Sequence, residues 1–205
     1  MSEIPSVLQT LLDQKIINAP DSAKGRLLRT AAHLFVERGY ERTTVRELAK
    51  ALGIQSGSLF YHYPNKAAIL KAVLVETIHI NTARMQEALS RTTNPKQQVL
   101  ALIRCEIESI IGDTGEAMSL LLSEWRSLTE ESQADILELR DQYESLWLNS
   151  LKACEKDGLL VIDPHILRHF LRGAISWVKV WYDPDGRLDL EQLCEMTLTM
   201  AVKQG

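Results

Sequence analysis

TTVRELAKALGIQSGSLFYHYPNK, residues 43–66, holds two short apolar-periodic runs separated by Gly53. Thr44 followed three residues later by Glu47 is a Thr-x-x-Glu capping box, which predicts a helix starting at Val45. Gly53 ends that helix after Leu52. A tight turn through Ile54 and Gln55 leads into a second short helix, Ser56 to His62, stopped by Pro64, with Asn65 as the next cap. Two short helices joined by a tight glycine-containing turn have the geometry that lets the second lie in the DNA major groove while the first crosses the backbone.

Working outward, Asp21 and Ser22 cap a preceding helix that runs to Arg38, buries Leu27, Leu28, Ala31, Leu34 and Phe35, and ends at Gly39. Residues 1–20 carry Leu8, Leu11, Leu12, Ile16 and Ile17, consistent with either an extra helix or a frayed arm. Downstream, Leu70, Val73, Leu74, Thr77, Met85 and Ala88 continue one long helix from Lys66. Asn94-Pro95 opens the next, Gly112 and Gly115 bracket a break, and Thr129 caps a long helix that lasts until Asp157-Gly158. Asp163-Pro164 starts a helix with Ile166, Phe170, Gly173, Trp177 and Trp181 along one face, and the last helix spans about Asp189 to Lys203. Neither strand-like alternation nor a repeat occurs. The expected fold is all-α with about nine helices: a helix-turn-helix head at 21–66 and a helical body at 67–205.

Of the 205 residues 45% are hydrophobic, enough for a packed core. The first twenty residues lack the pattern of an export signal, and no stretch approaches the ~20 apolar residues that span a bilayer, so a cytoplasmic protein without membrane contact is expected. Cys105, Cys154 and Cys194 lie far apart in apolar-periodic segments and read as buried thiols. Net charge is −4, but residues 22–66 hold eight basic and three acidic side chains, a net +5, which leaves −9 for the rest. A basic head on an acidic body fits a phosphate-binding module joined to a domain that does not touch DNA.

Within the head, Leu48, Ala49, Leu52, Ile54 and Leu59 form a small core that sets the angle between the two helices. Gly57 and Ser58 keep the second helix slim, and Gln55, Ser56 and Ser58 supply hydrogen-bonding groups for base edges. Thr44 sits at a helix N-terminus, where its hydroxyl and the free backbone N–H groups can together hold a phosphate oxygen, with Arg42 and Arg46 adding charge. Tyr63, beside Pro64, is expected to pack inward.

Residues 43–66, with Ala31-Ala32-His33-Leu34-Phe35 and Arg38-Gly39-Tyr40 before them, closely resemble the signature of the TetR family of regulators. The resemblance implies a homodimeric, ligand-responsive regulator of double-stranded operator DNA, a repressor by family frequency, with no enzymatic activity and no cofactor. It places Tyr61, His62 and Lys66 at the DNA backbone. Ser56 stands where many members carry Lys or Arg, which implies a recognition helix that relies more on shape and hydroxyl contacts. The last two helices are expected to pair with their symmetry mates, with Leu190, Leu193, Met196, Thr197 and Met200 partly intermolecular.

The segments 171–177 and 181–188 are similar to a subgroup that senses acyl-coenzyme A thioesters. That similarity implies Arg168, His169 and Arg172 at the coenzyme phosphates, and Trp125, Tyr143, Trp147, Trp177 and Trp181 around an apolar effector. His165 and His169 are four apart beside Asp163 but lack a third ligand, so no metal site is expected. The alternatives are a TetR-like regulator of another lipophilic ligand, a helical adaptor that has kept the head, and a helical-bundle enzyme. The enzyme reading finds no nucleophile–base spacing and no phosphate loop.

Overall fold

The computed structural model describes residues 6–203; positions 1–5 of the N-terminal arm and 204–205 of the body lie outside the described residues. Among the described residues there are ten α-helices, a 3₁₀ turn and no strand. They are α1 Ser6–Asp13, α2 Ala23–Arg38, α3 Val45–Leu52, α4 Ser56–His62, α5 Lys66–Ser90, α6 Pro95–Ile111, α7 Gly115–Ser123, the 3₁₀ turn Trp125–Ser127, α8 Glu130–Lys156, α9 Pro164–Trp181 and α10 Leu190–Ala201. The helix beyond the expected nine is α1, whose Leu8 is buried.

Local chemistry accounts for the boundaries. The Ser22 hydroxyl accepts from Gly25 N at 3.0 Å and caps α2. Asn94 caps α6 with Pro95 in its first turn, Thr129 accepts from Ser132 N at 3.2 Å at the start of α8, and Asp163 and Asp189 cap α9 and α10. Gly25 has a reason of its own: a Cβ there would sit 2.2 Å from the Ala19 carbonyl oxygen, because the chain before α2 passes against it.

The packing forms two compact units. The first comprises residues up to 80 and 114–140. Its core joins Leu27, Phe35, Leu48 and Leu59 to Leu70 and Leu74 of α5, and to Leu120 and Ile136 from α7 and α8. The core around α2, α3 and α4 therefore recruits side chains well beyond Lys66, since these three helices cannot bury enough apolar surface alone.

The second unit, 81–113 with 141 onward, packs α6 against α9 and α10 around a fully buried Trp147. Cys154 and Cys194 are buried in this core and Cys105 is half-buried; burial pushes all three thiols up to about 11. Among the described residues no helix is long and apolar enough to cross a membrane.

Candidate nucleic-acid interface

α3 begins where expected, and its cap is complete. Thr44 Oγ1 accepts from Glu47 N at 3.2 Å and donates to Glu47 Oε2 at 2.8 Å, while Thr44 N donates to the same oxygen at 2.7 Å. These bonds hold the Glu47 carboxyl below the usual carboxylate range. In this cap the Thr44 hydroxyl, expected at a DNA phosphate, is engaged by Glu47. The last turn of α3 closes on Gly53, at φ +67, a left-handed conformation that costs a side-chain-bearing residue energy.

α4 is anchored by one side chain, Leu59, which is fully buried. Around it Gln55, Gly57, Ser58 and Tyr61 are exposed, with Ser56 and His62 half-exposed. Tyr61 is 87% exposed and meets His62 edge-on at 5.2 Å between ring centroids. A Cβ on Gly57 would meet nothing within 4 Å, so the chain itself does not require that residue to be small. Arg42, Arg46 and Lys50 are exposed on the same stretch. Tyr63 packs inward against the core, as its place beside Pro64 predicts.

Lys66, expected at the DNA backbone, also has partners within the chain. Its ammonium donates to the carbonyls of Tyr40 at 2.7 Å and Glu41 at 3.2 Å and lies 4.1 Å from the Tyr40 ring centroid. It ties the start of α5 to the loop before α3, leaving one of its three protons for an outside acceptor.

The sequence reading missed two residues. Phe60 on α4, to which the sequence reading gave no place, is 54% exposed, an aromatic beside Tyr61. Thr43 is fully buried, its hydroxyl between the Leu34 and Gly39 carbonyls at 3.1 and 2.9 Å, pinning the end of α2 to the start of α3.

The eight residues assigned to an effector fall in both compact units. Trp125 belongs to the first unit, half-buried against its core with Arg140 over the ring at 5.8 Å. The other seven belong to the second. There Tyr143 and Trp147 are buried on α8, one turn apart, beside Arg168. Arg168 is not free to meet coenzyme phosphates. Its guanidinium pairs with Glu106 at 3.0 and 3.2 Å and with Glu144 at 2.7 and 3.0 Å, and stacks 4.4 Å from the Trp147 ring centroid. Burial works against its charge, but the two carboxylates outweigh that and raise its pKa. Arg172 lies near Glu144 at 3.7 Å and His169 at 3.3 Å, on the more open side of α9.

Trp177 and Trp181, at 64% and 52% exposed, do not line an interior cavity of the subunit. With Ile166, Phe170 and Val180 they form an apolar stripe on α9, and Met196 and Met200 are exposed on α10. Leu193, expected to be partly intermolecular, is buried within the subunit's own core.

Known proteins supply independent comparisons. Residues 27–73 match the family described as bacterial regulatory proteins, tetR family, and residues 92–204 match the tetracyclin repressor-like C-terminal domain. The HTH-type transcriptional repressor KstR2 of Mycolicibacterium smegmatis is 30% identical over 187 residues, covering 89% of this chain and 90% of that protein. A crystal structure named superantigen pfit is 49% identical, with a TM-score of 0.86 over 97% of this chain and 98% of its own. AibR, crystallised with isovaleryl coenzyme A and operator DNA, is 26% identical, with a TM-score of 0.79 over 88% of this chain and 98% of its own.

Proposed function

The chain belongs to the tetR family of bacterial regulatory proteins, and from that premise we propose that this DNA-binding transcriptional regulator works as a homodimeric repressor released from its operator by an acyl-coenzyme A-type effector. The carrying observation is α4, which turns Gln55, Gly57, Ser58, Phe60 and Tyr61 outward around the single buried anchor Leu59. A helix exposing a slim polar edge flanked by aromatics, next to the exposed Arg42, Arg46 and Lys50, suits a major groove lined by phosphates. Residues 21–66 are the DNA-binding part on this reading, and residues 67–205 hold the effector and the dimer contact. The neighbour named as a superantigen shares the fold, so its name stays with that protein and leaves the reading of α4 unchanged.

Dimerisation is supported by the α9–α10 surface. Ile166, Phe170, Trp177, Val180, Trp181, Met196 and Met200 are all exposed on these two helices, a concentration of large apolar groups that a second copy would cover. The effector class rests on the coenzyme thioester bound by AibR and on the open positions of His169 and Arg172, which can meet phosphates where the buried Arg168 cannot. A regulator that acts on chromosomal DNA works in the bacterial cytoplasm, and that is the location this reading implies.

The test is a mobility shift with DNA from the protein's own upstream region at two salt concentrations, with and without a panel of acyl-coenzyme A thioesters. Specific, salt-sensitive binding that a thioester abolishes supports the whole proposal. Specific binding that no thioester alters keeps the regulator and overturns the effector class. Absence of specific binding, there and with a random-sequence pool, overturns the operator reading.

A further inference from the structure

The interior of the second unit contains two hydrogen-bond donors whose chemistry is unused. Tyr143 and Trp147 are 8% and 0% exposed, and among the described residues neither the Tyr143 hydroxyl nor the Trp147 indole N–H has a hydrogen-bond partner. Buried tyrosine hydroxyls and indole N–H groups ordinarily find partners, because an unpaired one forfeits its hydration. Both sit on one face of α8, one turn apart. Both rings also adjoin the same guanidinium, Arg168, whose central carbon is 6.0 Å from the Tyr143 ring centroid and 4.4 Å from that of Trp147. Their neighbours offer no relief: the carboxylates of Glu106 and Glu144 are each turned to Arg168 through both oxygens.

We infer that Tyr143 and Trp147 form the recognition point for a neutral hydrogen-bond acceptor, a carbonyl oxygen carried on the buried part of the effector. This rests on the effector reading above and deepens it, because it separates an oxo-bearing acyl group from a plain hydrocarbon chain. Neutrality follows from the charges present. Glu106 and Glu144 are already matched by the buried Arg168 and the half-exposed Arg172, so an anionic group would bring an uncompensated negative charge into a low-dielectric interior. An acceptor is required because both orphaned groups are able to donate, and the indole N–H can do nothing else. A plain acyl chain has no acceptor beyond the thioester carbonyl at its coenzyme end, so the chain buried past that carbonyl would fill space but leave both donors unpaired, and sites built around buried donors discriminate against ligands that cannot satisfy them.

The experiment compares the purified full-length protein with its Tyr143→Phe variant, using a straight-chain acyl-coenzyme A and oxo-acyl-coenzyme A thioesters of the same length as calorimetric probes. The expected result is a preference of about tenfold or more for at least one oxo thioester, reduced several-fold in the variant. The unliganded variant should melt about 2–4 °C higher than the natural protein, since it no longer buries an unpaired hydroxyl. A lower melting temperature shows that the hydroxyl was already satisfied and overturns the inference. Equal affinity for plain and oxo thioesters overturns it alone, whereas binding of neither overturns it together with the acyl-coenzyme A reading.

Discussion

The ammonium of Lys66 donates to the backbone carbonyl of Tyr40 at 2.7 Å, closing a link across 26 residues between the start of α5 and the loop that precedes α3. With the Glu41 carbonyl and the Tyr40 ring as further partners, this cation orients the helix pair as well as facing its surroundings. Lys66→Met should therefore lower both stability and operator binding. Loss of a charged donor at a partly buried site costs about 1 kcal/mol, seen in urea denaturation. The third ammonium proton is available to a phosphate, so the salt dependence of operator binding should fall by about one counterion. Unchanged salt dependence with reduced stability would assign Lys66 a purely positional role.

Arg168 joins Glu106 of α6 to Glu144 of α8, and both it and Glu106 are about 4% exposed in their side chains. Arg168→Met leaves Glu106 buried without its cation, a change that costs about 3–5 kcal/mol. The pH dependence carries a definite sign. Burial raises the Glu106 pKa against the opposing pull of Arg168, and removing the arginine raises it further. A carboxyl whose folded-state pKa is raised contributes stability below its unfolded pKa and loses it as pH rises through the folded value. The deficit of Arg168→Met should therefore shrink as pH falls from 8 toward 5 and widen again on return. A deficit independent of pH would mean that lost packing, not the stranded carboxylate, destabilises the variant.

On the outer surface of the first unit, His33 of α2 meets Glu116 of α7 at 2.8 Å. The hydrogen bond to Glu116, reinforced by its charge, raises the His33 pKa above 6.5. The stability it contributes is fully present below the unfolded pKa and is lost as pH rises above the folded one. Both side chains are about half exposed, so the effect is small. Titration of the His33 ring by NMR should give a pKa above 6.5 that returns toward it in Glu116→Gln. No change in that variant would show that Glu116 does not hold the histidine in solution.

Much of this architecture was legible because local rules and tertiary packing agree. The capping box at Thr44 and Glu47, the stops at Gly39 and Gly53, and the starts at Asn94-Pro95 and Asp163-Pro164 all stand where short-range chemistry put them. What periodicity did not disclose was the side to which a stripe faces. Trp147 and Trp177 both recur at helical spacing, yet one is fully buried and the other 64% exposed, because spacing defines a face without naming what covers it. Arg168 was misread for a related reason: its carboxylate partners lie 62 and 24 residues away, beyond any local pattern. Phe60 escaped notice because hydrophobicity argues for burial, whereas a surface that meets another molecule reverses that inference.

Gly57 offers a separation of fold from function that few positions allow. It lies in the first turn of α4, has no positive φ, and a Cβ added to it would meet nothing within 4 Å. Replacing glycine by alanine in a helix stabilises it by about 0.5–1 kcal/mol, so Gly57→Ala should melt at or slightly above the natural temperature. Operator binding should nevertheless weaken, because the added methyl stands where a recognition helix must come closest to base edges, and Gly57→Val should weaken it further. Leu59→Ala forms the contrast: it empties a fully buried position and should lose about 2–5 kcal/mol of stability together with DNA binding. If Gly57→Val binds operator as tightly as the natural protein, the first turn of α4 does not enter the groove. The exposed aromatics at its other end, Phe60 and Tyr61, would then be the groups to carry recognition.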